Sequence, residues 1–307
     1  MHSAKNSAHF LKPAQSRSTQ LQLINLDRLT RLKKLSELGK SPNWPVTARN
    51  VSFSGGIVKQ LCVGVTVLAG LHLSVAYAAP LATNSPSKTQ KINLPPSADL
   101  HYNIKAMQSG LTIDGTGMVR WQTKAGKFSV TSESRANLFG KVLEATTIGE
   151  IDQFGLAPGT FIDKRFRKEL TTTTFNRDNH VITFSASEES YPIKGGEQDR
   201  NSVIWQLISV ARGMPARFKS GTQWRFMVAG QRDAEVWSFK VLATEKLHTP
   251  LGEINTVHIL RAPPPDKKGQ KLDIWLAPSI EWYPAQLRFT DPDGEFIEQT
   301  LESYTKT

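Results

Sequence analysis

Four histidines follow residue 78, His101, His180, His248 and His258. They are scattered, with no His-x-x-x-His or His-Glu-x-x-His spacing to set two imidazoles on one helix face, so the sequence predicts no metal site. His258 lies among Val257, Ile259 and Leu260 and reads as a strand residue on the less buried side. No Gly-x-Ser-x-Gly occurs to raise a serine on a strand-to-helix elbow, and Ser109-Gly110 and Ser220-Gly221 read as turn pairs. The single cysteine, Cys62, precedes the rest of the chain, which excludes disulfides, cysteine-ligated zinc and thiol nucleophiles beyond residue 78. Gly115-Thr116-Gly117 lacks the third glycine and the helix of a phosphate cradle and is expected to be a bend or bulge in a strand. Asp291-Pro292-Asp293-Gly294 begins like a calcium loop but has no downstream ligands, so a β-turn is expected. The predicted catalytic, cofactor-binding and metal-binding residues are therefore none, no cofactor is expected, and the protein is read as a non-enzyme.

Two features remain. Asp199-Arg200 precedes a helix: the acid suits the free amides there, and Arg200 is expected to pair with a carboxylate on a neighbouring strand, the alternative being a ligand-binding or catalytic role. Trp205, Trp224, Phe226, Trp237 and Phe239 are candidates to line a ligand cavity, against the plainer reading that they pack in the core, since most alternate with the strand period. Lys164-Arg165-Phe166-Arg167-Lys168 is a short basic strand, too isolated to indicate a nucleic-acid partner.

The elements that would position these residues are mostly strands. Short runs rich in Val, Ile, Phe, Thr and Trp, broken by Gly, Asn, Asp and Pro, predict strands over 99–107, 111–122, 127–136, 142–152, 159–167, 169–176 and 180–186. After an interruption they resume over 222–229, 234–245, 253–262, 270–277, 284–291 and 295–304. Trp224, Phe226 and Val228 alternate with polar residues, as do Leu272, Ile274 and Leu276, the pattern of antiparallel sheet with one buried face. The segment from Asn176 to His180 predicts a hairpin turn. Ser202 to Gly213 differs: Val203, Ile204, Leu207, Ile208 and Ala211 recur at helical spacing, with Asn201 or Ser202 as N-cap and Gly213 as the stop. Its polar stripe of Gln206, Ser209 and Arg212 is so narrow that the helix must be mostly buried against the sheet's concave face. The predicted fold is all-β, a mainly antiparallel meander forming a curved sheet or half-open β-barrel, with one buried α-helix at about 202–213.

The chain has 307 residues and a formal charge of +11. Ten basic and two acidic residues lie in 1–78, a charge of +8, so the remaining 28 basic and 25 acidic residues give only +3. An uncharged apolar run from Leu61 follows Lys59 and closes on Ala76-Tyr77-Ala78, the order of a secretory signal with cleavage after Ala78. The alternative is an uncleaved anchor. The expected organisation is an extension over 1–56, which contains the basic, leucine-rich stretch Leu21–Lys40 and is compatible with a start misassigned upstream of Val51; a signal peptide over 57–78; a flexible linker over 79–98; and one β domain over 99–307. The periplasm of a Gram-negative bacterium is the expected location, with membrane contact only through the signal segment.

Leu94-Pro95-Pro96 before Leu100-His101-Tyr102, Gly155-Leu156-Ala157-Pro158, Gln198-Asp199-Arg200-x-Ser202-Val203, Arg232-Asp233-Ala234-Glu235-x-Trp237, Thr249-Pro250-Leu251-Gly252-Glu253 and Trp275-Leu276-Ala277-Pro278 before Tyr283-Pro284 are turns and strand starts that resemble the DUF3108 family of exported bacterial proteins, over roughly residues 93 to 305. The closing hairpin is also similar to periplasmic lipoprotein carriers, whose half-barrel holds acyl chains. The resemblance implies no activity. It leaves three expectations: a cavity for a lipid-like or hydrophobic ligand; an envelope scaffold or protein-interaction module with a filled core; and, least favoured, an enzyme.

Overall fold

The computed structural model describes residues 89–264 and 268–307. The extension, the signal segment with its cleavage position after Ala78, and the first part of the expected linker lie outside these residues. No helix among the described residues is long and apolar enough to cross a membrane.

Fifteen strands form one sheet: β1 (Ala98–Gln108), β2 (Leu111–Lys124), β3 (Lys127–Ala136), β4 (Gly140–Asp152), β5 (Gly155–Arg165), β6 (Thr171–Asn176), β7 (Val181–Phe184), β8 (Ser187–Pro192), β9 (Gln198–Asp199), β10 (Gln223–Ala229), β11 (Ala234–Thr249), β12 (Gly252–Arg261), β13 (Lys271–Ala277), β14 (Tyr283–Thr290) and β15 (Phe296–Lys306). Each of β2 to β8 pairs antiparallel with its predecessor, and so does each of β11 to β15. The first strand lies beside the last, Ala98 opposite Lys306, so β1 and β15 form the middle of the sheet and β8 and β9 its two edges. Only the two-residue β9 is parallel to its neighbour, β10.

The sheet rolls without closing into a barrel. Register shifts at His101/Tyr102, Ser134/Arg135, Ile148/Gly149, Val241/Ala243 and Trp275/Leu276 add the local bends a rolled sheet needs. Where the two wings meet, side chains substitute for a ladder. The Thr147 hydroxyl on β4 donates to Asp199 Oδ1 at 2.8 Å, the Thr173 hydroxyl on β6 to the Gly230 carbonyl at 2.7 Å, and the Ser187 hydroxyl on β8 to the Arg232 carbonyl at 2.6 Å.

Helix α1 (Val203–Gly213) lies in the hollow. Trp205 stacks on Trp121 of β2 at 4.6 Å and meets Tyr283 of β14 edge-on, which pins the helix to the sheet's middle. Of its polar stripe, Gln206 and Ser209 are fully buried, and only Arg212, in the last turn, is partly exposed. Gln206 Oε1 accepts from the Leu156 N–H and its amide donates to the Phe154 carbonyl, which ties the β4–β5 turn to the helix. Gly155 fits this contact, since its φ is +112° and a Cβ there would stand 2.4 Å from Gln206 Oε1. Gly213 serves as close approach rather than a left-handed stop: a Cβ would come within 2.3 Å of the Lys91 carbonyl.

That contact changes the reading of the linker's end. Ile92 and Leu94 pack on the core, the Asn93 N–H donates to the Ser209 carbonyl, and the Pro95 and Pro96 carbonyls accept from the Trp121 indole and the Tyr283 hydroxyl. Residues 92–97 are thus a strap across the helix, because two apolar side chains and two prolines have ready partners there. Gly115-Thr116-Gly117 is neither bend nor bulge: β2 pairs in unbroken register on both sides, and Gly115 lets the Arg135 carbonyl approach within 2.2 Å of where a Cβ would be. The turn at Asp291–Gly294 is a β-turn as expected, with the Gly294 N–H donating to the Asp291 carbonyl.

Candidate functional site

Helix α1 fills only part of the hollow. Beside its first turn lies a cavity of about 420 Å³, within the roughly 300–1,000 Å³ usual for small-molecule sites. Sheet order explains its two-sided chemistry. The middle strands supply an apolar floor: Tyr102 of β1, Val119 of β2, Leu272 of β13, and Leu287 and Phe289 of β14, with Ile204 and Trp205 of the helix above. The wings carry the charges: Glu133 on β3, Asp163 and Arg165 on β5, Glu235 on β11 and Arg261 on β12, with Arg200 on the link from β9 to α1 and Lys268 on the β12–β13 connection. Rolling brings the two charged wings together over one apolar floor.

Most wall charges are already matched. Arg165 donates to Asp163 at 3.1 Å, and Arg135 and Lys141 hold Glu133. Arg261 donates to Glu235 at 2.7 Å and to the Gln270 carbonyl, and lies 4.3 Å over the Trp237 ring, whose indole also donates to Glu235. Arg200 stands apart: among the described residues its guanidinium has no ion pair and no hydrogen bond, contrary to the carboxylate partner expected from sequence. It lies 6.0 Å from the Trp237 ring centre on the cavity wall. The side chain is exposed, yet the protein packed around the guanidinium, with the like charge of Arg165, holds its pKa below the usual value.

Asp199 has the place predicted beside the helix. Its Oδ1 accepts from the N–H groups of Asn201 and Ser202 and from Thr147, while Oδ2 has no partner. Full burial pushes its pKa up to about 6, and those hydrogen bonds only partly oppose the shift.

Of the five aromatic candidates, Trp205 and Trp237 line the cavity. Trp224, Phe226 and Phe239 do not: they are buried in the main core, Trp224 in a stack with Phe218 at 5.1 Å at the other end of the helix. Sequence reasoning missed Arg261 and Gly230 altogether. Their local signals, an arginine ending an alternating strand and a glycine before a turn, are common. His258 is on the outer face, between Glu245 and Asp273 and stacked on Trp275 at 4.4 Å. Asp291, Asp293 and Glu295 cluster at a hairpin end, where their oxygens accept from Gln270, the Glu295 N–H and the Ser109 N–H. The basic run Lys164–Lys168 ends β5 and forms the exposed tip beyond it.

The family model described as protein of unknown function (DUF3108) matches residues 98–302, from the first residue of β1 into β15. The chain belongs to the DUF3108 family. In this DUF3108 chain the quoted motifs form contacts the geometry explains: Gly155 admits Gln206, Asp199 holds the backbone ahead of α1, and Glu235 joins Trp237 to Arg261. No curated protein matches the sequence. Among solved structures, a β-barrel-like DUF1849 protein from Brucella abortus is similar at 12% identity and a TM-score of 0.48, over 70% of this chain and 99% of that one. A proposed outer membrane lipoprotein-sorting protein domain from Vibrio parahaemolyticus gives 9% identity and a TM-score of 0.27, over 68% and 85% of the two chains. Likenesses this distant carry nothing about function, which has to come from the cavity itself.

Proposed function

We propose that this protein is exported to the periplasm of a Gram-negative bacterium and there binds a lipid-like or other hydrophobic molecule, without catalysing a reaction. The supporting observation is the cavity beside the first turn of α1, walled by Phe161, Leu143 and Trp237 as well as its apolar floor. A helix that filled the hollow completely would have favoured a scaffold. The carboxylates on the cavity wall are each held by a cationic side chain, which suits a fixed binding surface better than a proton-transfer site. Export rests on the signal-like run closing at Ala78.

Native mass spectrometry of the protein recovered gently from the periplasm tests this reading. The expected result is an amphiphilic adduct that is absent from Ile204→Trp, where the larger ring occupies the cavity. No adduct, together with no uptake of any acyl probe, neutral or charged, overturns it. A second reading, an interaction module, draws on Leu138, Phe166 and Leu170, exposed at two hairpin tips that touch through Phe139 and Phe166 at 6.2 Å. It predicts crosslinks from those tips to an envelope protein and an empty hollow.

A further inference from the structure

Arg200 is a cation on the cavity wall that pairs with nothing among the described residues. Of the three arginines there, Arg165 is held by Asp163 and Arg261 by Glu235 and the Gln270 carbonyl, whereas Arg200 has neither an ion pair nor a hydrogen-bond acceptor among the described residues. Asp233 and Glu235 bear on it through space without pairing with it. A guanidinium presents five donors in a planar fork, and Arg200 is exposed on the cavity wall, so its donors are open to an acceptor that a ligand brings.

The backbone opposite is shaped to receive this fork. A Cβ on Gly230 would stand 2.9 Å from both Nε and Nη2 of Arg200, so any other residue there would displace the guanidinium. Gly230 itself is fixed: its N–H donates to the Asp233 carbonyl and its carbonyl accepts from Thr173. The group is therefore seated between Gly230 and the Trp237 ring, with the apolar floor of β1, β2, β13 and β14 on the same cavity. Lys268 adds a second cation to the wall.

Building on the hydrophobic-ligand reading, we propose that the cavity takes an anionic amphiphile, its carboxylate or phosphate head on the Arg200 fork and its apolar chain along the floor. One cation with convergent donors beside an apolar surface matches one anionic head on one chain. A neutral lipid would leave the fork unpaired, and a cationic one would add repulsion from Arg200, Arg261 and Lys268. Charge-assisted bonds to a planar fork favour the anion by about tenfold or more in affinity.

The test measures binding to the periplasmic protein, by tryptophan fluorescence at ligand concentrations below micelle formation, of four twelve-carbon ligands: dodecanoate, dodecyl phosphate, dodecanol and dodecyltrimethylammonium. The wild type is expected to bind one or both anions at least about tenfold more tightly than dodecanol, with the better anion identifying the head. Arg200→Gln is expected to abolish that preference while dodecanol binding persists. Gly230→Ala, which need only push aside the end of a flexible side chain, is expected to weaken the preference in a folded protein. Equal binding of anions and dodecanol, or a preference unchanged in Arg200→Gln, overturns the anionic-head proposal and leaves the hydrophobic cavity standing. Binding of none of the four overturns both. Should Arg200→Gln fail to fold, Gly230→Ala decides: an unchanged preference there also overturns the proposal.

Discussion

The two ends of helix α1 meet the same rolled sheet in opposite ways. Toward its C-terminus, Leu207, Ile208, Val210 and Ala211 are fully buried, Phe218 stacks on Trp224 and meets Trp282 edge-on, and Lys91 and Ile92, where the strap begins, press against Gly213. At its N-terminus, Ile204 and Trp205 border open space, and the approaching residues Arg200 and Asn201 sit on the wall of that space. One end is closed by apolar interdigitation, which stabilises the fold. The other is bounded by ion pairs among wall residues, which keep charges fixed without filling the volume between them. The difference teaches that in this fold the helix anchors at one end and leaves a ligand-sized hollow at the other.

Substitutions at the two ends should separate accordingly. Leu207→Ala at the sealed end is expected to lower unfolding free energy by about 2–5 kcal/mol, measured by urea denaturation, while Ile204→Ala, which removes atoms already facing a cavity, should cost well under half as much. Equal losses would break the comparison.

Asp199 lies where the two regimes meet, and its expected effect is next in size. Its folded pKa of about 6 is raised above the ordinary carboxylate value. The folded state therefore holds a proton that the unfolded chain has lost between about pH 4 and 6, so this group favours folding below pH 4 and that stability is lost as pH rises through 6. Asp199→Asn keeps an acceptor for Thr147 and the two backbone amides and removes the titration. Between pH 4 and 7 the variant should gain on the wild type by on the order of 2–3 kcal/mol; parallel stability profiles would show that the carboxyl is not held neutral by burial.

Gln206→Ala should have the smallest effect, about 1–3 kcal/mol, because it leaves the Leu156 N–H and Phe154 carbonyl without the amide that joins them. Hydrogen exchange is expected to rise first at Leu156, with the strap at Asn93 unaffected.

Much of this was legible in the sequence where local period and burial coincide. The spacing of Val203, Leu207 and Ile208 predicts a buried helix, and the alternation of Trp224, Phe226 and Val228 predicts an inward strand face; both are found. Strands β8 and β9 were not legible. Ser187–Pro192 pairs on one side only and has no apolar face, and Gln198–Asp199 is two polar residues whose burial depends on partners from β4, β5 and the helix approach. The site was legible by residue type only. Trp237 and Phe239 share one inward face, yet which of them borders empty space depends on how far the helix reaches along the sheet. Arg200 acquires its role only because rolling sets Gly230 and Trp237 around it, a juxtaposition that no local pattern encodes.

The most direct test of a hollow left open at one end of α1 is the melting temperature of the wild type, Ile204→Trp and Leu207→Ala with and without saturating dodecyl phosphate or dodecanoate. A ligand bound only by the folded state raises the melting temperature, by an amount that grows with the logarithm of its concentration over its Kd. The account predicts a ligand-dependent rise in the wild type and in the less stable Leu207→Ala, and none in Ile204→Trp. No rise in the wild type, or the same rise in Ile204→Trp, would contradict it.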